Sequence, residues 1–392
     1  DLLNPSEPFD LEFSISNNSF YLDALNVTAT IQSQNDLFEN YNDITFINSE
    51  LDFGNILVDQ STFSLLSGEV GDDVFIGEHE FELIVNAEYI DLNGNYEETV
   101  KVYPFKIDVS LNQPGFPYDT NSEIKSSPLV VDFNNDGNNE IIFGDNSGLI
   151  HVLDYEGNPI LTDIFPYDTG NQIWGSPSIG YIDGDDNLDV AVVSKSKHLY
   201  IFDYNGLKLD YNTNQYLIGT PALGNLDDDD DLEIVFGSYS NDAKIFAINI
   251  DGTDVDGFPI ILDEKMQKGV ALADFNDNGK DDIVVGTDSD NIYLIYDDGT
   301  IGFNFLTEDK IRSAPIIIDR NNQKFIIAGS KDGNLYSINA LGESHFIFNT
   351  GSPIYASPTI LENENGLMIF FSNNEGEIFA VDINGNLFDG FP

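Results

Sequence analysis

Cysteine is absent from the 392 residues, and several other types are scarce: 15 lysines and arginines, four histidines, two methionines and one tryptophan. Without cysteine there is no disulfide framework, no thiolate metal site and no cysteine nucleophile. The few cations face 69 acidic residues, so the formal charge is −54. Such a field repels nucleic acid and anionic lipid and attracts cations, which removes nucleic acid from the expected partners. No apolar run reaches the length of about 18 residues that a spanning helix needs, so no membrane span is expected in this chain. The opening DLLNPSEPFD lacks a basic-then-apolar leader, and the chain reads as a mature or excised piece of a longer protein.

Catalytic signatures are missing as well. There is no G-x-S-x-G elbow, no H-E-x-x-H pair and no phosphate-cradling glycine loop. His79, His151, His198 and His345 stand in four separate contexts, none beside an evident nucleophile, and each is expected to be a surface or strand residue. In so acidic a chain, paired carboxylates for glycoside cleavage carry no specificity, because chance alone brings two together. The chain is therefore expected not to be an enzyme. Its acidity suits a salt-rich or calcium-rich extracellular medium, where screening reduces self-repulsion.

What is present is a repeat. Ser127-Pro128, Ser176-Pro177, Thr220-Pro221, Gly269-Val270, Ala314-Pro315 and Ser357-Pro358 recur every 43 to 49 residues. After each comes an apolar run such as PLVVDF, an acidic turn, a β-branched run such as EIIFGD, a polar turn and an alternating run such as GLIHVLDY. A looser segment completes the unit. Three clear strands and a weaker fourth in about 45 residues is the size of one propeller blade, which buries its faces only by stacking on neighbours. The expected fold is all-β, with a propeller over residues 111–392. Phe165-Pro166, Gly257-Phe258-Pro259 and Gly390-Phe391-Pro392 mark fourth-strand segments, and an extra copy, Gly115-Phe116-Pro117, precedes the first unit. Residues 115–125 are thus expected to supply the outer strand of the last blade and close a ring of six; truncation of a seven- or eight-bladed ring is the alternative.

Residues 1–110 lack the repeat and read as alternating strands, LNVTATIQSQ, DITFINSELDFG, STFSLLSG, EFELIVNAEY and ETVKVYPFKIDVSL, with the hairpin signal LNGN at Leu92 to Asn95. About seven strands in a hundred residues suggest an immunoglobulin-like sandwich. LNQPG, from Leu111 to Gly115, reads as a stiff junction.

The acidic turns carry the chemistry. Calcium takes about 6 to 8 oxygens, and one loop supplies them when side chains at alternate positions converge around a sharp turn. DFNNDGNNE offers Asp132, Asn134, Asp136, the Asn138 carbonyl and Glu140, with Gly137 at the turn. NLDDDDDLE offers Asn225, Asp227, Asp229, the Asp231 carbonyl and Glu233; DFNDNGKDD offers Asp274, Asn276, Asn278, the Lys280 carbonyl and Asp282. YIDGDDNLD has Tyr181 in the first position and keeps Asp183, Asp185 and Asp189, so a weaker or absent site is expected there. DRNNQKF and ENENGL, in the fifth and sixth units, lack the closing carboxylate and are assigned no metal. Three calcium sites and a weaker fourth follow. The competing reading is plain turn chemistry, since Asn, Asp and Gly cap their own backbone.

An acidic loop of this spacing followed by IIFGD, IVFGS or IVVGT resembles the FG-GAP or VCBS repeats of integrin alpha-chain propellers and many secreted bacterial proteins. GSKDGNLYSINALGE, Gly329 to Glu343, and SNNEGEIFAVDINGN, Ser372 to Asn386, also resemble quinoprotein propeller repeats, although 15 basic residues and one tryptophan are a thin supply for a quinone site. The N-terminal segment is similar to immunoglobulin-like modules beside catalytic domains in secreted bacterial proteins, subtilisin-like proteases among them. Together these resemblances imply a secreted or cell-surface adhesion or ligand-binding scaffold with a protein or glycan partner, or else the accessory C-terminal part of a secreted hydrolase. Trp174, in NQIWGSP, is either a packing residue near a blade edge or a contact of the binding face.

Overall fold

The computed structural model describes all residues except 1, 5–7, 34–43, 49, 72–73, 75, 111–114, 230, 321–322 and 364–365. The expected junction LNQPG therefore falls almost wholly outside the described residues. No helix occurs among them, and hence none long and apolar enough to cross a membrane. The chain divides into two compact units, Asp1–Pro117 and Tyr118–Pro392.

The first unit holds eight strands: β1 (Leu2–Leu3), β2 (Pro8–Ser16), β3 (Ala24–Ser33), β4 (Ile44–Phe46), β5 (Glu50–Ile56), β6 (Ser61–Val70), β7 (Gly77–Ile90) and β8 (Tyr96–Val109). They form a five-stranded sheet, β1-β8-β7-β3-β5, and a three-stranded sheet, β2-β6-β4. Alternate residues of each turn inward, so Val27, Ala29, Leu51, Phe53, Leu66 and Leu83 build a shared core with Leu11 and Phe13. The stretch DITFINSELDFG changes phase, with apolar residues at Ile44 and Phe46 and then, out of step, at Leu51 and Phe53, and it contributes β4 to one sheet and β5 to the other. The LNGN turn joins β7 to β8, with Asp91 accepting the backbone N–H of Asn93 and Asn95 at 2.8 Å each.

The second unit repeats one antiparallel sheet. Its members are β9–β12 (Leu129–Val131, Glu140–Gly144, Leu149–Leu153, Tyr167–Asp168), β13–β16 (Ser178–Gly180, Asp189–Val193, His198–Asp203, Gly206–Asn212) and β17–β20 (Ala222–Gly224, Glu233–Gly237, Lys244–Ile248, Ile260–Ile261). β21–β24 (Ala271–Ala273, Asp282–Gly286, Asn291–Ile295, Ile301–Leu306), β25–β28 (Ile316–Arg320, Gln323–Gly329, Asn334–Asn339, Ser344–Asn349) and β29–β31 (Thr359–Asn363, Gly366–Ser372, Ile378–Val381) follow. Strands pair in chain order within each sheet.

Packing between neighbouring sheets explains the composition of the second strands. β14, β18 and β22 are buried along their whole length because both faces are covered. Where a glycine ends the second strand, as in β10, β22 and β26, it has a steric cause: a Cβ on Gly144, Gly286 or Gly329 would lie 2.1–2.3 Å from Ile173, Ile311 or Ile354 of the next unit. The Ser/Thr-Pro lead-ins link neighbours, with Ser127 N–H donating to Ser176 Oγ at 2.9 Å, Ser176 N–H to Thr220 Oγ1 at 3.0 Å and Ala314 N–H to Ser357 Oγ at 2.9 Å.

The expected closing strand is not formed. Residues 115–125 adopt no strand, and the sixth sheet has three strands. Tyr118 instead packs edge-on against Phe143 and His151 of the first sheet, at 6.3 and 5.9 Å between ring centroids. Core clusters join sheets one to two, two to three, three to four, four to five and five to six. Ile124 is 45% exposed, whereas its counterparts Ile173, Leu217, Met266, Ile311 and Ile354 are all buried.

Candidate metal centre

The acidic turns join the first and second strands of sheets one to four. Each is built on the same two anchors. The ninth residue, Glu140, Asp189, Glu233 or Asp282, opens the second strand and is buried, and its carboxylate accepts the backbone N–H of the loop's second residue. Those second residues are Phe133, Ile182, Leu226 and Phe275, three of them buried apolar plugs that hold the loop against the core. The carboxylate is thus fixed by packing before any ion arrives, which is the preorganisation a cage needs. Neighbouring loops are also tied together, by Leu232 N–H to the Ile182 carbonyl at 2.9 Å and Asp281 N–H to the Asn225 carbonyl at 2.7 Å.

The loops differ in how their remaining oxygens are spent. In the first, Asp132 accepts from Asp136 N–H at 3.0 Å and Gly137 N–H at 2.9 Å, and Asp136 accepts from Asn138 N–H at 2.8 Å. The fourth repeats this: Asp274 accepts from Asn278 N–H at 3.1 Å and Gly279 N–H at 2.8 Å, while Asn278 Oδ1 accepts from Lys280 N–H at 2.8 Å. Gly137 and Gly279 take φ of +93° and +89°, the left-handed turn that lets alternate side chains face inward. Asp297, outside the nine-residue pattern, joins the fourth loop by accepting from Asn278 Nδ2 at 2.9 Å. Asn134 and Asn276 reach Asp136 and Asp282 within their own loops.

The third loop leaves oxygens over. Ligand atoms of Asp227, Asp229 and Glu233 lie within 4.8 Å of one another, and no other carboxylate trio among the described residues does so. Glu233 is fully buried; one carboxylate oxygen accepts from Leu226 N–H at 2.5 Å and the other, Oε1, has no partner. Asn225 Oδ1 is likewise buried and unpartnered. Burial, reinforced by Asp227 and Asp229, pushes the Glu233 carboxyl up to about 7, and burial pushes Asp282 up to about 6. Desolvated oxygens without donors cost free energy that a hard cation offsets, so these residues fit a bound divalent ion. Asp231 lies beside them, its N–H donating to Asp229 at 3.0 Å.

The second loop already contains a cation. Lys208, on β16 of the same sheet, places Nζ 2.6 Å from Asp183, 2.8 Å from the buried Asp189 and 3.7 Å from Asp185. Burial opposes its charge, but the hydrogen bonds to Asp183 and Asp189 outweigh that and raise its pKa. The Tyr181 side chain, at the missing first position, is 54% exposed. Lys208 was invisible to the loop pattern because it comes from another strand, although the one loop lacking its first ligand marks where an internal cation would go.

The histidines do not form a catalytic set. His79 and His151 are buried, His151 pairing with Asp145 at 3.1 Å; His198 pairs with Asp210, and His345 lies 3.1 Å from the Ile383 carbonyl.

Comparison with known proteins gives a partial family match. Residues 233–351, under a third of the chain, match the β-propeller domain of lambda-carrageenase. No curated protein matches. Among solved structures, BBS1N in complex with ARL6DN, from a lead-soaked crystal, is 14% identical over 68% of this chain and 80% of that chain, with a TM-score of 0.49. BamB from Moraxella catarrhalis is 15% identical over 79% of this chain and 80% of that chain, with a TM-score of 0.46. Six consecutive antiparallel sheets packed face to face, with the family match lying inside them, make Tyr118–Pro392 a β-propeller.

Proposed function

We propose that this chain is a calcium-binding β-propeller module of a secreted or cell-surface protein, of FG-GAP or VCBS character, preceded by an immunoglobulin-like sandwich, and that it serves as a rigid, non-catalytic scaffold for a protein or glycan ligand. One observation carries the calcium assignment: Glu233 Oε1 and Asn225 Oδ1 are buried without partners beside Asp227 and Asp229. In this reading Asn225, Asp227, Asp229 and Glu233 hold the ion, and Asp132, Asp136 and Glu140, with Asp274, Asn278 and Asp282, form two further cages. The ion supplies charge compensation, and binding only the folded state stabilises the unit by about 2.7 kcal/mol per site at a hundred times Kd. The test is thermal unfolding in calcium, in magnesium and in chelator, with bound metal counted by elemental analysis. A calcium-specific rise in melting temperature with three ions per chain supports the scaffold; no ion and no shift would reduce the loops to polar turns.

The match to a carrageenase propeller favours a second reading, in which the chain is the accessory portion of a larger secreted hydrolase. Release of reducing ends from lambda-carrageenan by this chain alone would overturn the non-catalytic assignment in both readings.

A further inference from the structure

Antiparallel strands put the acidic loops at one end of each sheet and the turns between second and third strands at the other. That other end carries a different chemistry. Lys195 and Lys197 lie in the turn between β14 and β15, and Trp174 and Lys125 sit three residues before Pro177 and Pro128, at equivalent places in successive units. The Lys195 ammonium stands 3.2 Å from the centre of the Trp174 ring, and that of Lys125 stands 4.2 Å from it. Next to them Lys197 lies 5.4 Å from the Tyr216 ring.

The pairing is unexpected for this composition. With 69 acidic residues available, Lys106, Lys208, Lys280, Lys310, Arg312 and Lys324 all find carboxylates. Among the described residues, Lys195 and Lys197 have no carboxylate within 4.0 Å, and Lys125 reaches only Glu123, at 3.4 Å. Two ammoniums held against one indole repel each other, and burial together with the Lys125 charge lowers the pKa of Lys195. The ring holds both cations in place without consuming their N–H donors. Lys195 spends one donor on Gln172 Oε1 at 2.8 Å. Trp174 Nε1, a donor only, is buried with no partner.

We propose that Lys125, Lys195 and Trp174 form an anion-binding site for a sulfate or carboxylate group, on the end of the propeller opposite the acidic loops. Unspent donors on two ammoniums held at one indole suit an oxyanion, whose charge also relieves the lysine repulsion. The inference deepens the scaffold reading by naming a ligand class, and it rests on that reading only for the rigidity of the sheets that carry the three residues.

Trp174 is the sole tryptophan of the chain, so its emission reports the site directly. The protein is titrated at constant ionic strength with inorganic sulfate, a sulfated oligosaccharide, a uronate oligosaccharide and an uncharged oligosaccharide, each in calcium and in chelator. The expected result is a saturable emission change with at least one anionic probe and none with the uncharged one. Lys195→Gln should weaken binding at least tenfold and Lys125→Gln several-fold, with Lys244→Gln unchanged and the fold of each verified by circular dichroism. Saturation by inorganic sulfate assigns a free oxyanion; saturation only by a charged oligosaccharide assigns a glycan-borne group. No saturable change with any anion, an equal response to the uncharged sugar, or full retention of binding in Lys195→Gln would overturn the site. An intact response without any calcium effect on melting would sink the calcium scaffold and leave the anion site standing.

Discussion

Replacing Glu233 by glutamine separates a metal cage from a polar turn, because the two accounts disagree on how calcium changes the effect. The substitution keeps the shape and the oxygen that accepts Leu226 N–H, and removes the charge and the unpartnered carboxylate oxygen. Glu233 titrates near 7 in the folded chain against an ordinary 4.5, so at pH 8 its ionised form costs the folded state about 3 kcal/mol. Without metal, Glu233→Gln should therefore stabilise the propeller by up to about 3 kcal/mol at pH 8, raising its melting temperature by about 5 °C. The sign of the pH dependence follows. A carboxyl with a raised folded pKa contributes stability that is full below 4.5 and lost as pH rises through about 7. The gap between variant and wild type in chelator should thus be near zero at pH 4.5 and complete by pH 8.

Calcium reverses the balance. Wild type gains about 2.7 kcal/mol from the third site at a hundred times Kd, and the variant loses most of that increment, so its advantage should vanish at pH 8 and become a deficit at higher calcium. Differential scanning calorimetry in chelator and in calcium, with elemental analysis of each variant, measures this double difference. If Glu233→Gln shifts melting by the same amount in both media, the third loop holds no ion and the reasoning from its orphaned oxygens fails.

Two other substitutions probe neighbouring loops. Lys208→Met leaves the buried Asp189 without its ammonium, which should cost about 3–5 kcal/mol in chelator; millimolar calcium should recover part of this and add one ion per chain, and a variant that calcium does not rescue would show that Tyr181 leaves the loop too poor in ligands. Gly279→Ala places a Cβ in open space but at φ +89°, so a loss of about 1–2 kcal/mol from backbone strain alone is expected; unchanged melting would mean the turn relaxes to another conformation.

The blades were legible because a sheet covered on both sides calls for similar residues in most units: an apolar second strand, in several units a glycine where the next unit's Ile173, Ile311 or Ile354 presses in, and in four of the six a Ser or Thr lead-in, which can bond its neighbour. The sandwich was legible as strands but not as sheets, since reading DITFINSELDFG as one alternating run passes over the change of phase between Phe46 and Leu51, where the chain leaves one sheet for the other. The closing strand misled because a repeated GFP motif marks a place in the chain, whereas strand formation depends on a partner edge; Tyr118 found an aromatic surface instead.

At the loops, ligand spacing was readable and ligand state was not. Four loops share a buried closing carboxylate, and sequence ranks them by how many oxygens they offer, which places the first, third and fourth together. The structure ranks them by how many oxygens remain unspent. Backbone N–H groups satisfy Asp132 and Asp274, and an ammonium satisfies Asp183 and Asp189, while Asn225 and Glu233 each keep one buried oxygen without a donor. Lys208 shows that the buried carboxylate of the second loop has its charge met from within the chain, by an ammonium of the same sheet, where the first ligand is missing. If the proposed calcium sites exist, the loop from Asn225 to Glu233, which has neither such a lysine nor donors for all its buried oxygens, gains most from a cation taken from solution, and the first and fourth loops gain less.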